Sequence, residues 1–152
     1  KLRHPNINHF LGFSVFPTMI LVSQLAKYGS LRLVLEDNNI KLNILYKYRL
    51  LQDTILGLMY LHSLNPVIIH RNLKTSNVLI NGKARAVLAD FAFSAPPTMA
   101  SPSYPWASPE VRREQDFDER SDIYSFGHIF WSGFIFIIFI IFVIYIYYIL
   151  LY

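Results

Sequence analysis

The alternation of apolar and polar positions divides the chain into short strands, helices and turns, followed by one long apolar run. Residues 7–16 form an apolar stretch that Pro17 interrupts, and Thr18 to Ser23 reads TMILVS, so a strand is expected in each. Tyr28-Gly29-Ser30 is a turn, with Ser30 placed to cap a helix that carries Leu31, Val34 and Leu35 at helical spacing. The clearest helix follows. Ile44, Tyr48, Leu51, Ile55 and Leu58 recur at alternating steps of four and three, which predicts one buried face. This helix should stop before Asn65-Pro66, because proline disfavours a helical predecessor. Val67 to His70 is expected as a short strand. Val78 to Ile80 and Ala86 to Ala89 are expected as two more, joined by a tight hairpin at Asn81-Gly82. Five of the eight prolines fall between Ser94 and Pro109, which marks a loop, and Ser121 to Trp131 reads as a further helix.

Composition changes this picture mainly at the C-terminal end. The chain has 152 residues, enough for one domain with a sizeable core. Only 16% of them are charged, and none lies between Ile129 and Tyr152, so the shortage is local rather than general. Residues 1–132 therefore read as the domain and 133–152 as an apolar tail. The net charge of +4 is carried by scattered residues (Lys1, Arg3, Lys27, Lys41, Lys47, Arg71, Lys83, Arg112), which speaks against a nucleic-acid partner. The absence of cysteine excludes a disulfide scaffold and a thiolate metal site, and fits a reducing, cytoplasmic compartment. None of the five histidines pairs with a Glu at zinc-hydrolase spacing. The stretch from Lys1 to Asn8 is polar, unlike a signal peptide, and without an initiator Met Lys1 is not expected to be a natural start.

Chemistry concentrates between Ile68 and Ala92, in IIHRNLKTSNVLINGKARAVLADFA. A polar loop holding His70, Arg71, Asn72, Lys74 and Asn77 precedes a hairpin whose second strand ends at Asp90. The hairpin folds Asp90 back toward Asn77, so one carboxylate, one amide and one ammonium converge at strand ends. Such a set suits hydrated Mg²⁺ and a phosphate, because Mg²⁺ takes few protein oxygens and leaves the rest to water and substrate. Each of these residues taken singly would pass for surface decoration.

The spacing within this stretch is more specific. His70-Arg71-Asn72-Leu73-Lys74-x-x-Asn77 resembles the catalytic loop H-R-D-L-K-x-x-N of the protein kinases, and Asp90-Phe91-Ala92 resembles their D-F-G. Further likenesses occur in family order. Arg3-His4-Pro5-Asn6-Ile7 resembles the entry to the fourth small-lobe strand, and Leu21 to Leu31 the fifth strand and hinge. Leu58-Met59-Tyr60-Leu61-His62 is similar to the end of the long helix before the catalytic loop. Trp106-Ala107-Ser108-Pro109-Glu110 resembles W-M-A-P-E, and Ser121 to Gly127 resembles S-D-V-Y-S-F-G. Lys74-Thr75-Ser76-Asn77 leans toward the tyrosine-kinase-like serine/threonine group. The resemblance implies an α+β, bilobal kinase fold in truncated form, with the end of the small lobe and the first half of the large one.

It also implies roles. Ser23 would be the gatekeeper, Gln24 and Ala26 would bond the adenine of ATP through their backbones, and Leu79 would join that nucleotide site. Lys74 would sit by the transferring phosphate, and Asn77 and Asp90 would hold Mg²⁺. Arg71 would pair with a phosphorylated residue among Thr98, Ser101, Ser103 and Tyr104. Phe10, His70 and Phe91 would stack as a spine, Asp122 would anchor the catalytic loop, and Glu110 would have an Arg partner. The implied partner is a protein substrate or a signalling protein.

Three departures weaken the implied activity. Asn72 replaces the Asp that accepts the substrate hydroxyl proton, a change expected to cost about 10²–10⁴ in rate. Ala92 replaces the Gly of D-F-G, which restricts the backbone there. The Gly-rich loop and the cationic Lys of the family precede Lys1 in family order, and no G-x-G-x-x-G occurs in the sequence. The chain as it stands is therefore expected not to fold into a stable, active kinase. A pseudokinase used as a binding module and a truncated product without function are the alternatives. The tail, GFIFIIFIIFVIYIYYILLY, is long enough to cross a bilayer. Its abrupt start inside a family helix favours translated intron or frameshifted sequence, with a membrane anchor or an aggregation-prone segment as the other readings.

Overall fold

The computed structural model describes residues 2–90, 106–113 and 118–133. Its first sheet pairs β1 (Phe10–Ser14) with β2 (Ile20–Ser23) antiparallel, Phe13 opposite Leu21 and Ser14 opposite Ile20. The strand expected over residues 7–16 begins late, because Ile7 leaves the run to bridge Leu88 in parallel. A short helix, α1 (Leu31–Glu36), follows. Ser30 caps it, its Oγ accepting the Leu33 N–H at 3.3 Å, and Leu31 and Val34 are buried. Gly29 turns the chain into this cap at a φ of 71°, a left-handed angle that residues with a side chain rarely adopt.

The long helix, α2 (Ile44–His62), starts at Asn43, whose side chain accepts the Tyr46 N–H at 2.7 Å. Its buried face differs from the one the spacing predicts. Leu51 and Leu58 are buried, but Ile44 and Tyr48 are 45% and 62% exposed. The inward line instead runs through Tyr46, Leu50, Asp53, Gly57 and Leu61. Tyr46 sets it, because its hydroxyl donates to the Ala84 carbonyl at 2.9 Å and so keeps that side of the first turn against the neighbouring hairpin.

That hairpin is β3 (Val78–Ile80) with β4 (Ala86–Leu88), paired Val78 to Leu88, Leu79 to Val87 and Ile80 to Ala86. Its connection is longer than the tight turn expected at Asn81-Gly82. The Asn81 N–H donates to the Arg85 carbonyl, while the Asn81 Oδ1 accepts the N–H groups of Lys83 and Arg85. The left-handed residue is Ala84, at a φ of 55°. The strand expected at Val67 to His70 does not form. Ile68 donates to the Leu61 carbonyl at the end of α2, and His70 donates to a side chain, so no ladder is available to the segment.

Two further contacts lock the hairpin to α2. Asp53 is fully buried, and its carboxylate accepts Arg85 Nε at 2.7 Å, a second guanidinium nitrogen, and the Ala86 N–H at 3.0 Å. Gly57 allows the other close approach. A Cβ there would lie 2.8 Å from the Asn6 carbonyl oxygen and 2.9 Å from Leu88 Cδ1. Asn6 meets β4 from the far side, accepting the Leu88 N–H through its carbonyl and donating Nδ2 to the Ala86 carbonyl. A short helix, α3 (Pro109–Arg112), and helical residues 120–133 (α4) complete the described structure. Ile129 of α4 is fully buried and joins the core of α2 and the hairpin.

Candidate active site

The candidate residues lie where the polar loop after α2, the hairpin and α4 meet. Asp122, near the start of α4, is 1% exposed and gathers three donors. Its carboxylate accepts the His70 N–H at 2.7 Å and the Arg71 N–H at 2.9 Å, and the His62 Nε2 lies 2.8 Å from the same oxygen as His70. These bonds satisfy backbone groups that a strand would otherwise have used. They also hold Arg71 at a left-handed φ of 60°, an angle that costs about 1–3 kcal/mol in a non-glycine residue and needs outside support. His70 is fully buried below the loop, and burial lowers its pKa, with the Asp122 carboxylate opposing.

Beyond this anchor the loop closes on itself. The Asn77 Nδ2 donates to the Asn72 carbonyl at 2.7 Å, and the Ala89 N–H donates to the Asn77 carbonyl at 2.9 Å. Asp90, next along the chain, is exposed and adopts a φ of 62°. Its Oδ2 accepts the Asn72 Nδ2 at 2.9 Å. Asn72, Asn77 and Asp90 are thus brought together, with His70 and Arg71 beneath them. The Lys74 carbonyl accepts the Asn77 N–H at 2.9 Å, which fixes the Lys74 backbone in the same turn.

The second group of candidates lies along the segment from β2 to α1. The Ser23 Oγ accepts from Asn8 Nδ2 at 3.2 Å, and the Gln24 N–H donates to the His9 carbonyl at 2.8 Å. The Ala26 carbonyl accepts the Gly29 N–H. The segment then docks on β3, since Tyr28 donates to the Ile80 carbonyl, Ile80 donates to the Gly29 carbonyl, and Ser30 bridges Leu79. Glu110 accepts from the Ser121 hydroxyl at 3.0 Å, one residue from Asp122. Phe91, the phosphorylation candidates Thr98, Ser101, Ser103 and Tyr104, and residues 134–152 lie outside the described residues. The Phe10 ring, assigned to a stack with His70 and Phe91, lies 6.5 Å from the Phe13 ring. A cavity of about 330 Å³ opens elsewhere, lined by Arg3, His4, Asn8, His9, Asn81 and neighbours, and of the candidates only Gln24 reaches it.

The sequence matches the family Protein tyrosine and serine/threonine kinase over residues 1–136. The chain belongs to this protein kinase family. Relatives agree. It is 38% identical over 138 residues to the probable serine/threonine-protein kinase drkB of Dictyostelium discoideum, covering 87% of this chain and 20% of that protein. The dual specificity protein kinase shkC of the same organism is 35% identical over 142 residues, 87% of this chain and 28% of its own length. The probable serine/threonine-protein kinase SIS8 of Arabidopsis thaliana is 35% identical over 145 residues, 88% and 14%. The kinase chain thus spans between about a seventh and somewhat over a quarter of these curated relatives. Its described part is an α+β, kinase-like fold in partial form.

Kinases of this family use ATP and Mg²⁺, and the donor set here is compatible with them. Among the described residues no group of three or more His, Cys, Asp or Glu side chains is placed to hold a metal ion. A single carboxylate on Asp90 beside the Asn77 amide suits Mg²⁺, which completes its shell with water and phosphate oxygens. The Asn77 Nδ2 donates to the Asn72 carbonyl, and its Oδ1 is an oxygen of the type that Mg²⁺ takes. Sequence reasoning missed two supporting residues. His62 and Asp53 are polar groups on the buried side of α2; His62 stood only at the end of a helix likeness with no role attached, and Asp53 carried no signal because it lies off the apolar face that the spacing marks. Among the described residues no helix is long and apolar enough to cross a membrane.

Proposed function

We propose that this kinase chain binds Mg·ATP and transfers its γ-phosphoryl group to a protein hydroxyl far more slowly than a chain with Asp at position 72. In this reading Ser23, Gln24, Ala26 and Leu79 border the adenine, Asn77 and Asp90 hold Mg²⁺, and Lys74 neutralises charge on the transferring group. Arg71, His70, Asp122 and Glu110 keep the loop in place. The observation that carries the reading is the 2.9 Å hydrogen bond from the Asn72 amide to Asp90. The group at the position of the general base is a donor, engaged with a carboxylate, and an amide lacks the basicity to take up a proton. Loss of such a base raises the barrier by roughly 3–5 kcal/mol. Transfer of a phosphoryl group is mainly electrostatic and positional, so nucleotide binding does not depend on that base.

The test is radiolabel transfer from γ-labelled ATP to a generic protein substrate, beside melting with and without Mg·ATP. The reading expects a nucleotide-dependent rise in melting temperature and little or no transfer. Transfer by the unaltered chain that is robust and abolished by Asp90→Ala would refute it. A second reading is favoured by the bare β1–β2 sheet, where Phe13 is 67% exposed and the flanking Phe16 and Leu25 are each 86% exposed. In that reading the chain is a product without function, and melting would not respond to nucleotide. A cytoplasmic location, with residues 133–152 as a membrane attachment in the alternative, accompanies the first reading. Fractionation of cells expressing the chain with and without those residues separates the two locations.

A further inference from the structure

We infer that Asn72 is a positioning residue for Asp90, supplying through its amide the favourable contact that a divalent cation would otherwise supply, so that the site stays closed without metal. The inference rests on the proposed reading of Asn77 and Asp90 as the metal pair. Three observations carry it. The Asn72 Nδ2 donates to an ionised carboxylate at 2.9 Å, a charge-assisted bond. The same residue accepts the Asn77 Nδ2 on its carbonyl at 2.7 Å, and Asn77 accepts the Ala89 N–H at 2.9 Å. The three bonds form a closed circuit from the loop to the end of β4 and back. Finally, Asp90 sits at a φ of 62°, an angle that a residue with a Cβ holds only when its surroundings fix it.

The chemistry of position 72 then decides how the site responds to metal. An Asp in place of Asn72 would face Asp90 with a second carboxylate, and two like charges at hydrogen-bond distance repel unless a cation or a proton intervenes. Such a site depends on Mg²⁺ to close. With Asn72 it is closed already, and a cation must compete with the amide for the Asp90 Oδ2. This chain should therefore hold its loop without metal and bind Mg²⁺ weakly.

The experiment compares melting of the whole chain in EDTA and in millimolar Mg²⁺, with no nucleotide present. The unaltered chain is expected to melt at the same temperature in both. Asn72→Asp is expected to melt about 3–6 °C lower in EDTA and to recover most of that loss in Mg²⁺. Asn72→Ala, which removes the donor without adding a charge, should melt lower in EDTA and regain part of that loss in Mg²⁺, because the amide no longer competes with the cation for Asp90. An Asn72→Asp chain as stable as the unaltered one in EDTA would overturn the inference, as would an equal Mg²⁺ response in the two. If Asn72→Asp does not fold in either solution, Asn72→Ala decides, and its melting like the unaltered chain overturns the idea. Adding Asp90→Ala to Asn72→Asp should abolish the Mg²⁺ response. Its persistence would place the metal elsewhere and sink both the metal-pair assignment and the inference. Failure of ATP to shift melting, by contrast, would remove the nucleotide reading and leave this one standing.

Discussion

The β1–β2 and β3–β4 pairs are both short antiparallel ribbons of mostly apolar residues, yet their surroundings differ completely. In β3–β4 every residue but Leu79 is buried, and Leu79 is half-buried. In β1–β2 no residue is buried, and all but Gly12 are exposed. The difference lies in neighbours rather than in strand composition. The second ribbon has α2 on one side, tied by Asp53 and made close by Gly57, and has the Asn6–Asn8 segment beside β4. Among the described residues the first has its own partner strand and links from Asn8 to Ser23 and from Gln24 to His9. A two-stranded ribbon gains stability from what it packs against, because pairing alone barely offsets the ordering of its backbone. The candidate site follows this division, since Asn77 and Asp90 flank the covered ribbon.

Breaking the buried tie should have the largest effect. Asp53→Ala leaves the buried Ala86 N–H without its acceptor and the partly exposed Arg85 guanidinium without its partner, and should lower stability by about 3 kcal/mol, measurable by urea unfolding. Gly57→Ala should cost about 2 kcal/mol, because a methyl group 2.8 Å from a backbone oxygen forces α2 away from Asn6 and Leu88, outweighing the helix preference for Ala. A smaller effect is expected from pH. Burial lowers the pKa of both His70 and His4. The unfolded chain then takes up protons first as pH falls below about 6.5, so stability is complete above that value and declines through the depressed native values. His70→Gln should flatten the melting profile between pH 7 and pH 5, and an unchanged slope would assign the decline elsewhere. On the bare ribbon, Phe13→Ser should change stability by no more than about 0.5 kcal/mol, since the ring is mostly in water already. A loss as large as that of Gly57→Ala would show that something covers β1–β2 in solution.

How much of this was legible in the sequence depended on whether the cause was local. The extent of α2 could be read from its apolar spacing and Asn65-Pro66, and the cap at Ser30 from the residue type. The hairpin that returns Asp90 to Asn77 was also legible, because two apolar runs around Asn81-Gly82 leave the chain few other routes. The buried face of α2 was not, since Tyr46 is fixed by a carbonyl 38 positions away and Asp53 by an arginine 32 positions away. Val67 to His70 looked like a strand on residue preference, but His70 finds its acceptor on Asp122. Ala84 carried no signal for its left-handed angle. At the site, residue spacing identified the candidates, while the bond from Asn72 to Asp90 is a property of the folded arrangement alone.

Asp122 also bears on the order in which the chain acquires its structure. Its carboxylate joins segments that are 60, 52 and 51 positions apart in sequence. Contacts of such separation form only after the intervening chain has been confined, and they slow folding relative to local ones. Both α2 and the β3–β4 hairpin are made of contacts among residues that precede Asp122 in the chain, so they can pack while the His70–Arg71 backbone still bonds to water. The loop should be the last part of the described structure to take shape, on the arrival of α4. Any interruption of translation before that helix would yield a chain with its hairpin core in place and its polar loop unset.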